Sequence, residues 1–339
     1  MNRNVAQLGS AFAWGARGRR FKSGHSDFSK ICYEEIYKMT LTNTKNGLSL
    51  IGGLAIAYVM LTLVLPMSAL FWRAGQDGWS TFIQAATDSV ALSAYEVTFI
   101  TALLAALLNM VFGLLVAWVL VRYRFPGRRL LDAAVDLPFA LPTSVAGITL
   151  ATVYGDSSWL GTWLMQTFGV QVAFTRIGVA LAMIFVSFPF VVRTVQPVLR
   201  SLEPELEEAA QVLGATPLQC FRYVIFPALL PSLLTGTALG FSRAVGEFGS
   251  VVIVASNVPF KDLVAPVLIF QELERYSYSS ATALGSIMLL TSLLLLFILN
   301  FIQTKTLRRN QKLILLLVSE GRAKTICIAF SVGLSYSRL

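Results

Sequence analysis

The sequence predicts an all-α membrane protein with six transmembrane helices and both termini in the cytoplasm. Two observations support this fold class. Of the 339 residues, 55% are hydrophobic and only 13% are charged, and long uncharged apolar runs recur along the chain. So little polar surface cannot coat a soluble globule of this length, and we therefore expect the chain to be embedded in lipid.

Six apolar runs reach about the 20 residues that a helix needs to cross the hydrocarbon core. They lie at about residues 48–71, 97–121, 137–154, 177–192, 228–255 and 281–303, and only the fifth contains charged residues. Pro138 and Pro142 either bend the third helix or mark its start, and we expect the second. Gly236 and Gly240, four residues apart, indicate close helix packing or a subunit contact.

The connecting segments differ in charge, and this difference predicts the orientation. Basic residues stay on the cytoplasmic side during insertion. One set of segments carries Arg122, Arg124, Arg128, Arg129, Arg193, Arg200, Arg222, Lys305, Arg308, Arg309 and Lys312. The opposite set carries only Arg73, Arg176, Lys261 and Arg275. The first set is therefore predicted to be cytoplasmic, together with both termini.

The segment between the fourth and fifth runs has its own helix signals. Four glutamates crowd the first turns of a helix that starts at Pro204, where carboxylates suit the positive end of the helix dipole: Glu203, Glu205, Glu207 and Glu208. Leu206, Ala210 and Leu213 give this helix an apolar face. Gly214 is placed to end it, and Thr216 with Pro217 predicts a second short helix running toward Phe226. We expect a helix-turn-helix lying along the inner membrane surface.

The spacing within this segment resembles the EAA signature of ABC importer permeases. The matching residues are Glu208, Ala209, Ala210, Gly214, Val224 and Pro227. In that family the consensus continues as I-x-L-P, and Val224 and Phe226 are conservative departures. The resemblance implies that this loop docks on a separate ATP-hydrolysing subunit and couples it to transport. The alternative is an ordinary amphipathic hairpin at the membrane interface.

Further segments resemble the T-type subunit of the sulfate/thiosulfate permeases. They are residues 136–142, 188–193, 241–249, 257–261 and 269–270. The resemblance implies an ATP-driven, binding-protein-dependent importer in which this chain supplies half of the translocation pathway. It also implies a second, non-identical permease subunit, two copies of an ATP-binding subunit and an external sulfate-binding protein. Permeases for molybdate or another oxyanion are the alternative, and a secondary transporter is a weaker one.

We expect the chain to divide into three parts. Residues 1–38 are basic and glycine-rich without periodicity, and we expect a non-native or disordered leader before Met39, with a transit peptide as the alternative. Residues 39–304 are the six-helix permease domain, with the coupling loop at 201–227. Residues 305–339 are a basic cytoplasmic end and a tail, in which Leu313 to Val318 is too short to span the membrane and nothing downstream forms a recognisable element. The bacterial inner membrane is the expected location, and the plastid inner envelope is the alternative.

One charged pair falls within the apolar runs. Arg243 and Glu247 are four residues apart, so they are expected to share a face of the fifth helix and to neutralise each other. An ionisable group at that depth usually faces a bundle interior or a water-filled path. Arg243 therefore either contacts the anion during passage, with Glu247 holding it in place, or the pair locks helices together.

The sequence also excludes some functions. It contains no G-x-x-x-x-G-K-[ST] phosphate loop, so ATP hydrolysis must come from a partner subunit. His25 is the only histidine, which excludes Ser-His hydrolysis and His-based metal chemistry within residues 39–304. The three cysteines lie far apart. We expect no enzyme activity, no cofactor, no metal and no nucleic-acid partner.

Overall fold

The computed structural model describes residues 52–76, 78–202, 204–212 and 214–319, and every regular element in these ranges is a helix. The helices are α1 (Gly52–Gln76), α2 (Trp79–Ala86), α3 (Ser89–Arg122), α4 (Arg128–Val135), α5 (Leu137–Ala140), α6 (Thr143–Tyr154), α7 (Trp159–Phe168), α8 (Arg176–Ser201), α9 (Pro204–Val212), α10 (Pro217–Val245), α11 (Val251–Val254), α12 (Ala265–Glu274) and α13 (Tyr278–Ser319). The chain divides into two units after Ser68, within α1, and α2 to α13 all belong to the second unit.

Five helices of the described part are long and apolar enough to cross a membrane. They are α1, α3, α8, α10 and the portion Tyr278–Leu299 of α13. Five of the six predicted runs therefore correspond to helices of spanning length. The helix α3 begins earlier than expected, because the Asp88 side chain caps it by accepting a 3.1 Å hydrogen bond from the Val90 N–H.

The third predicted run, 137–154, is not one continuous helix. It divides into α5 and α6, and the 12 residues of α6 are fewer than a full crossing requires. Leu141 is extended, with φ −86° and ψ 135°, as expected for a residue that precedes proline. Pro142 has no N–H to continue the helical hydrogen bonds and instead starts α6. Both prolines mark helix starts, as expected, but the break between them was missed.

The fifth predicted run, 228–255, was wrong at both ends. The helix α10 starts at Pro217, so the expected short helix toward Phe226 is continuous with the span. A π-helical turn at Phe221–Ile225 ends two residues before Pro227, which has no N–H of its own. At the other end α10 stops at Val245, and a turn leads into α11.

The last helix extends past the predicted sixth run. It continues through residues 313–318, which by themselves were judged too short to span, and ends at Ser319. The predicted leader at residues 1–38 and the chain after Ser319 lie outside the described residues.

The helices α3, α8 and α10 pack against one another. Small residues permit close approach: a Cβ added to Gly236 of α10 would lie 2.9 Å from the Val191 Cα of α8, and one added to Gly240 would lie 3.4 Å from the Ser187 carbonyl oxygen. The close packing expected for this glycine pair is therefore confirmed. Asn109 of α3 donates a 2.8 Å hydrogen bond to Ser187 Oγ, so a buried polar contact also joins α3 to α8.

Candidate coupling and translocation sites

The predicted helix-turn-helix follows α8 and consists of α9 and the start of α10. The helix α9 ends in a turn in which the Ala215 N–H donates to the Ala210 carbonyl over 3.0 Å. Gly214 has φ +85°, a conformation that glycine adopts without strain. Thr216 then caps α10: its hydroxyl accepts from the Gln219 N–H at 3.4 Å, while Gln219 Oε1 accepts from the Thr216 N–H at 2.8 Å.

The residues of the EAA signature separate into exposed and anchored positions. Glu208, Ala209, Gly214 and Pro227 are exposed. Ala210 is buried in a core cluster against which Val224, half-buried, also packs. The signature therefore leaves an acidic and apolar surface exposed, while Ala210 fixes the hairpin to the bundle. We call residues 204–216 the coupling hairpin.

The apolar face expected for α9 forms only in part. Ala210 is buried, but Leu206 is 52% exposed, and Leu213 lies outside the described residues. Two further apolar side chains on or next to the coupling hairpin are strongly exposed, Val212 at 86% and Leu218 at 74%. These exposed residues were not singled out in the sequence, because helical periodicity alone does not show which face of an isolated hairpin meets the bundle.

Arg122 at the end of α3 holds the coupling hairpin from the side. Its guanidinium forms an ion pair with Glu207 of α9 and lies over the Trp118 ring at 5.3 Å from the centroid. Trp118 in turn makes an edge-to-face contact with Phe221 of α10, with ring centroids 5.3 Å apart. In the sequence Arg122 counted only as an orientation signal, since nothing local connects it to a residue 85 positions away.

Arg243 and Glu247 form the expected ion pair, but they do not share a helix face. Arg243 Nη1 donates to Glu247 Oε2 over 2.6 Å, while Glu247 lies in the turn after α10. The other oxygen, Oε1, accepts from the Ser250 N–H at 3.0 Å and from Ser250 Oγ at 2.8 Å. Glu247 is 1% exposed and the Arg243 side chain 34% exposed. Glu247 is thus the buried anchor and Arg243 the partly accessible cation.

A second arginine, Arg193 of α8, joins two acidic residues. It makes a two-pronged contact with Asp136, from Nε to Oδ1 at 2.7 Å and from Nη2 to Oδ2 at 2.6 Å. Its Nη1 donates to Asp132 Oδ1 over 2.7 Å. A hydrogen bond from Gln196, together with the Arg193 guanidinium, lowers the pKa of the Asp132 carboxyl. We call Arg193, Asp132 and Asp136 the Arg193 latch. No local pattern in the sequence connects Arg193 to the two aspartates, which lie 61 and 57 positions away.

The turn that contains Glu247 lies directly against α6. A Cβ added to Gly147 of α6 would lie 2.7 Å from the Ser250 carbonyl oxygen and 2.8 Å from the Ser250 Cα, so only glycine fits there. Gly249 similarly faces Thr143 at the start of α6. Within the described residues, no group of three or more His, Cys, Asp and Glu side chains could hold a metal ion.

A family model described as "Binding-protein-dependent transport system inner membrane component" matches residues 109–311, which include the coupling hairpin, the Arg193 latch and the Arg243–Glu247 pair. The chain belongs to this family. It is therefore a multi-pass membrane permease, as the motifs of the sequence indicated.

Close relatives extend the match beyond the family model. The chain is 62% identical over 263 residues, 78% of this chain and 92% of the relative, to "Probable sulfate transport system permease protein cysT" of Nephroselmis olivacea. It is 58% identical over 248 residues, 73% of this chain and 86% of the relative, to "Sulfate transport system permease protein CysT" of Synechocystis sp. (strain ATCC 27184 / PCC 6803 / Kazusa). The resemblance to T-type permeases is confirmed.

A solved structure has the same fold. A chain from the crystal structure of a bacterial ABC transporter involved in the import of the acidic polysaccharide alginate superposes with a TM-score of 0.65. The two chains are 19% identical, and the match covers 79% of this chain and 99% of the other. The all-α ABC importer permease fold is therefore confirmed.

Proposed function

We propose that this chain is the permease subunit of an ATP-driven, binding-protein-dependent importer of sulfate or thiosulfate. The observation that carries the proposal is the 62% identity over 263 residues to a relative named as a sulfate permease, since it extends across the helix bundle and the coupling hairpin. The partners proposed are a second, non-identical permease subunit, two copies of an ATP-binding subunit and an external sulfate-binding protein. The bacterial inner membrane is the proposed location, with the plastid inner envelope as the alternative.

The coupling hairpin is the proposed contact with the ATP-binding subunit. Glu208, Ala209 and Gly214 are exposed, and the small residues allow a partner's backbone to approach closely. Val212 and Leu218 add exposed apolar surface that a docked subunit would cover. The hairpin is held by the Arg122 ion pair and by buried Ala210. It can therefore move as a rigid unit and transmit a displacement of the ATP-binding subunit to the helix bundle.

Arg243 is the proposed contact for the anion during passage. Its side chain is one-third exposed, while Glu247 holds the guanidinium from the buried side. A dianion at this point meets a cation whose charge is already balanced by Glu247. The contact is therefore weak, as passage requires, and the external binding protein supplies most of the affinity.

Radiolabelled sulfate uptake tests the proposal. Cells that lack this chain are compared with cells that regain it together with its partner subunits, with thiosulfate and molybdate as competitors. We expect uptake that requires ATP and this chain, with competition by thiosulfate and weaker competition by molybdate. Uptake without ATP would contradict the importer class, and stronger competition by molybdate would contradict the substrate.

A Gly214→Asp variant tests the coupling role in the same cells. The substitution adds a charge to the exposed turn of the hairpin, so we expect normal membrane insertion but no capture of the ATP-binding subunit and no uptake. Val153→Ala on α6, away from the hairpin, is the control and should transport normally. Normal uptake by the Gly214→Asp variant would count against coupling through this hairpin.

A further inference from the structure

Three separate sequence motifs meet at the break between α5 and α6. The motif at 136–142 forms α5 and the break, the motif at 188–193 lies on α8, and the motif at 241–249 ends α10 and contains Arg243. The helix α5 packs on α8, and α6 packs on α11. The break at Leu141 and Pro142 thus separates α5, which is held by α8, from α6, which contacts α8 and also the Glu247 turn.

The α8 side of this arrangement is held by two contacts. The Arg193 latch joins α8 to Asp132 of α4 and to Asp136, the residue directly before α5. Phe139 of α5 makes an edge-to-face contact with Phe190 of α8, with ring centroids 5.2 Å apart. A planar guanidinium bound at two points to a carboxylate fixes both distance and angle, so α5 follows α8 when α8 moves.

The α6 side touches the turn that holds Arg243. Gly147 and Thr143 of α6 lie against Ser250 and Gly249, and Ser250 donates both its N–H and its hydroxyl to Glu247. Because the Gly147 contact is made with backbone atoms, α6 cannot shift toward this turn without displacing it. Glu247 accepts a 2.6 Å hydrogen bond from Arg243, so a movement of the Glu247 turn also moves the Arg243 guanidinium.

The other end of α8 leads to the coupling hairpin. Arg193 lies eight residues before Ser201, the last residue of α8, which corresponds to about 12 Å along a helix at 1.5 Å per residue. The helix α9 begins three residues after α8 ends. A displacement of the hairpin therefore passes through the short connection after Ser201 and about two turns of α8, which include Pro197, before it reaches Arg193.

We propose that Arg193 is a positioning residue that carries the motion of the coupling hairpin, through α5 and the Leu141–Pro142 break, to the turn that holds Arg243. This inference rests on the proposed function, since it assigns a mechanical path between the ATPase contact and the anion contact. Without the latch, α5 no longer follows α8, so this path stops moving the Glu247 turn, while the direct packing of α8 on α10 remains. ATP hydrolysis is then less tightly coupled to the movement of Arg243.

The test uses the complete importer, with its binding protein, in liposomes, and measures sulfate moved per ATP hydrolysed in the assembled fraction. The variants are Arg193→Gln, Arg193→Lys, Asp136→Asn and the double variant Arg193→Gln/Asp136→Asn. Arg129→Gln, at an exposed position of α4, is the control. A purely structural residue would change the amount of assembled complex but leave this ratio unchanged.

We expect each single variant to lower sulfate moved per ATP by about threefold or more, within the range of substitutions in coupled networks. Lysine should not rescue, because an ammonium cannot bind both Asp136 oxygens. The double variant should be no worse than Arg193→Gln alone, since Asp136→Asn removes a contact that Arg193→Gln has already removed. Two results would overturn this inference without affecting the proposed function. One is sulfate moved per ATP that is unchanged in the single variants, and the other is a loss in the double variant equal to the product of the two single losses. A wild-type complex that moves no sulfate with ATP would overturn the proposed function and this inference with it.

Discussion

Individual residues fix the conformations on which the coupling hairpin depends. Gly214 has φ +85°, and a Cβ added there would meet no atom within 4 Å, so backbone conformation alone favours glycine. Thr216 and Gln219 satisfy each other's backbone N–H groups where α10 begins. Both features are local. The helix end at Gly214 and the cap at Thr216 were predicted from the sequence, whereas the reciprocal hydrogen bond accepted by the Gln219 side chain was not.

We predict that the Arg243–Glu247 pair stabilises the protein. Replacing Arg243 by Leu leaves the Glu247 carboxylate buried and without its cation. Breaking a buried pair costs about 3–5 kcal/mol, and we expect the lower end because Arg243 is 34% exposed. Thermal unfolding of the purified chain measures the loss. Adding Glu247→Gln should restore most of the stability, since its amide oxygen can still accept from Ser250.

The double variant Arg243→Leu/Glu247→Gln distinguishes a stabilising role of Arg243 from a direct contact with the transported anion. If Arg243 contacts the anion, the double variant stays stable but transports poorly. If the double variant regains both stability and uptake, Arg243 serves only to neutralise Glu247. The Glu247→Gln variant alone is the matched control, because it keeps the cation and removes only the opposing charge.

Secondary-structure elements determine how the coupling hairpin is braced. The helix α9 is short, so it depends on neighbours rather than on its own helix propensity. Its inner side is held by buried Ala210 and by the ion pair from Glu207 to Arg122 on α3. The hairpin is therefore attached to three spanning helices, α3, α8 and α10, although it is continuous with only two.

We predict that Glu207→Gln loosens α9 from α3. The neutral amide loses the charge-assisted bond to Arg122, and because the Glu207 side chain is 21% exposed the expected cost is about 1 kcal/mol. Hydrogen exchange of the α9 amides should become about fivefold faster, since 1.4 kcal/mol corresponds to about tenfold. Glu205→Gln, at an exposed position of the same turn, is the control. Equal exchange in both variants would show that Arg122 does not brace the hairpin.

At the scale of the whole molecule, charge distribution predicts which side faces the cytoplasm. The coupling hairpin lies near Arg122, Arg200 and Arg222, whereas the loop after α11 is joined to the start of α8, where Arg176 donates a 2.9 Å hydrogen bond to the Phe260 carbonyl. Basic residues favour the cytoplasmic side. An ATP-binding partner can reach the hairpin only if this orientation is correct.

Two matched cysteine variants test this orientation. In a background with the natural cysteines replaced, Val212→Cys lies on the coupling hairpin at 86% exposure and Val258→Cys lies in the loop after α11 at 46% exposure. A membrane-impermeant maleimide applied to intact bacterial cells should label Val258→Cys at once, and Val212→Cys only after the membrane is opened. The reverse pattern would place the hairpin outside the cell and contradict the coupling role.

The sequence by itself determined the features that depend on neighbouring residues. Lipid burial follows from apolar runs of spanning length, and the turn at Gly214 and the cap at Thr216 follow from residues within one helical turn. The spacing from Glu208 to Pro227 indicated the family. The break after α5 was within reach as well, because Pro142 and the residue before it are biased away from helix.

Only the tertiary structure decided which distant residues meet. Arg193 and Asp136 are 57 positions apart, Arg122 and Glu207 are 85 apart, and Gly147 contacts Ser250 across more than a hundred residues. The turn that follows Val245 and holds Glu247 likewise lies against α6. Hydropathy and helix periodicity describe which residues are apolar and on which face, whereas the partners of buried charges depend on how complete helices pack.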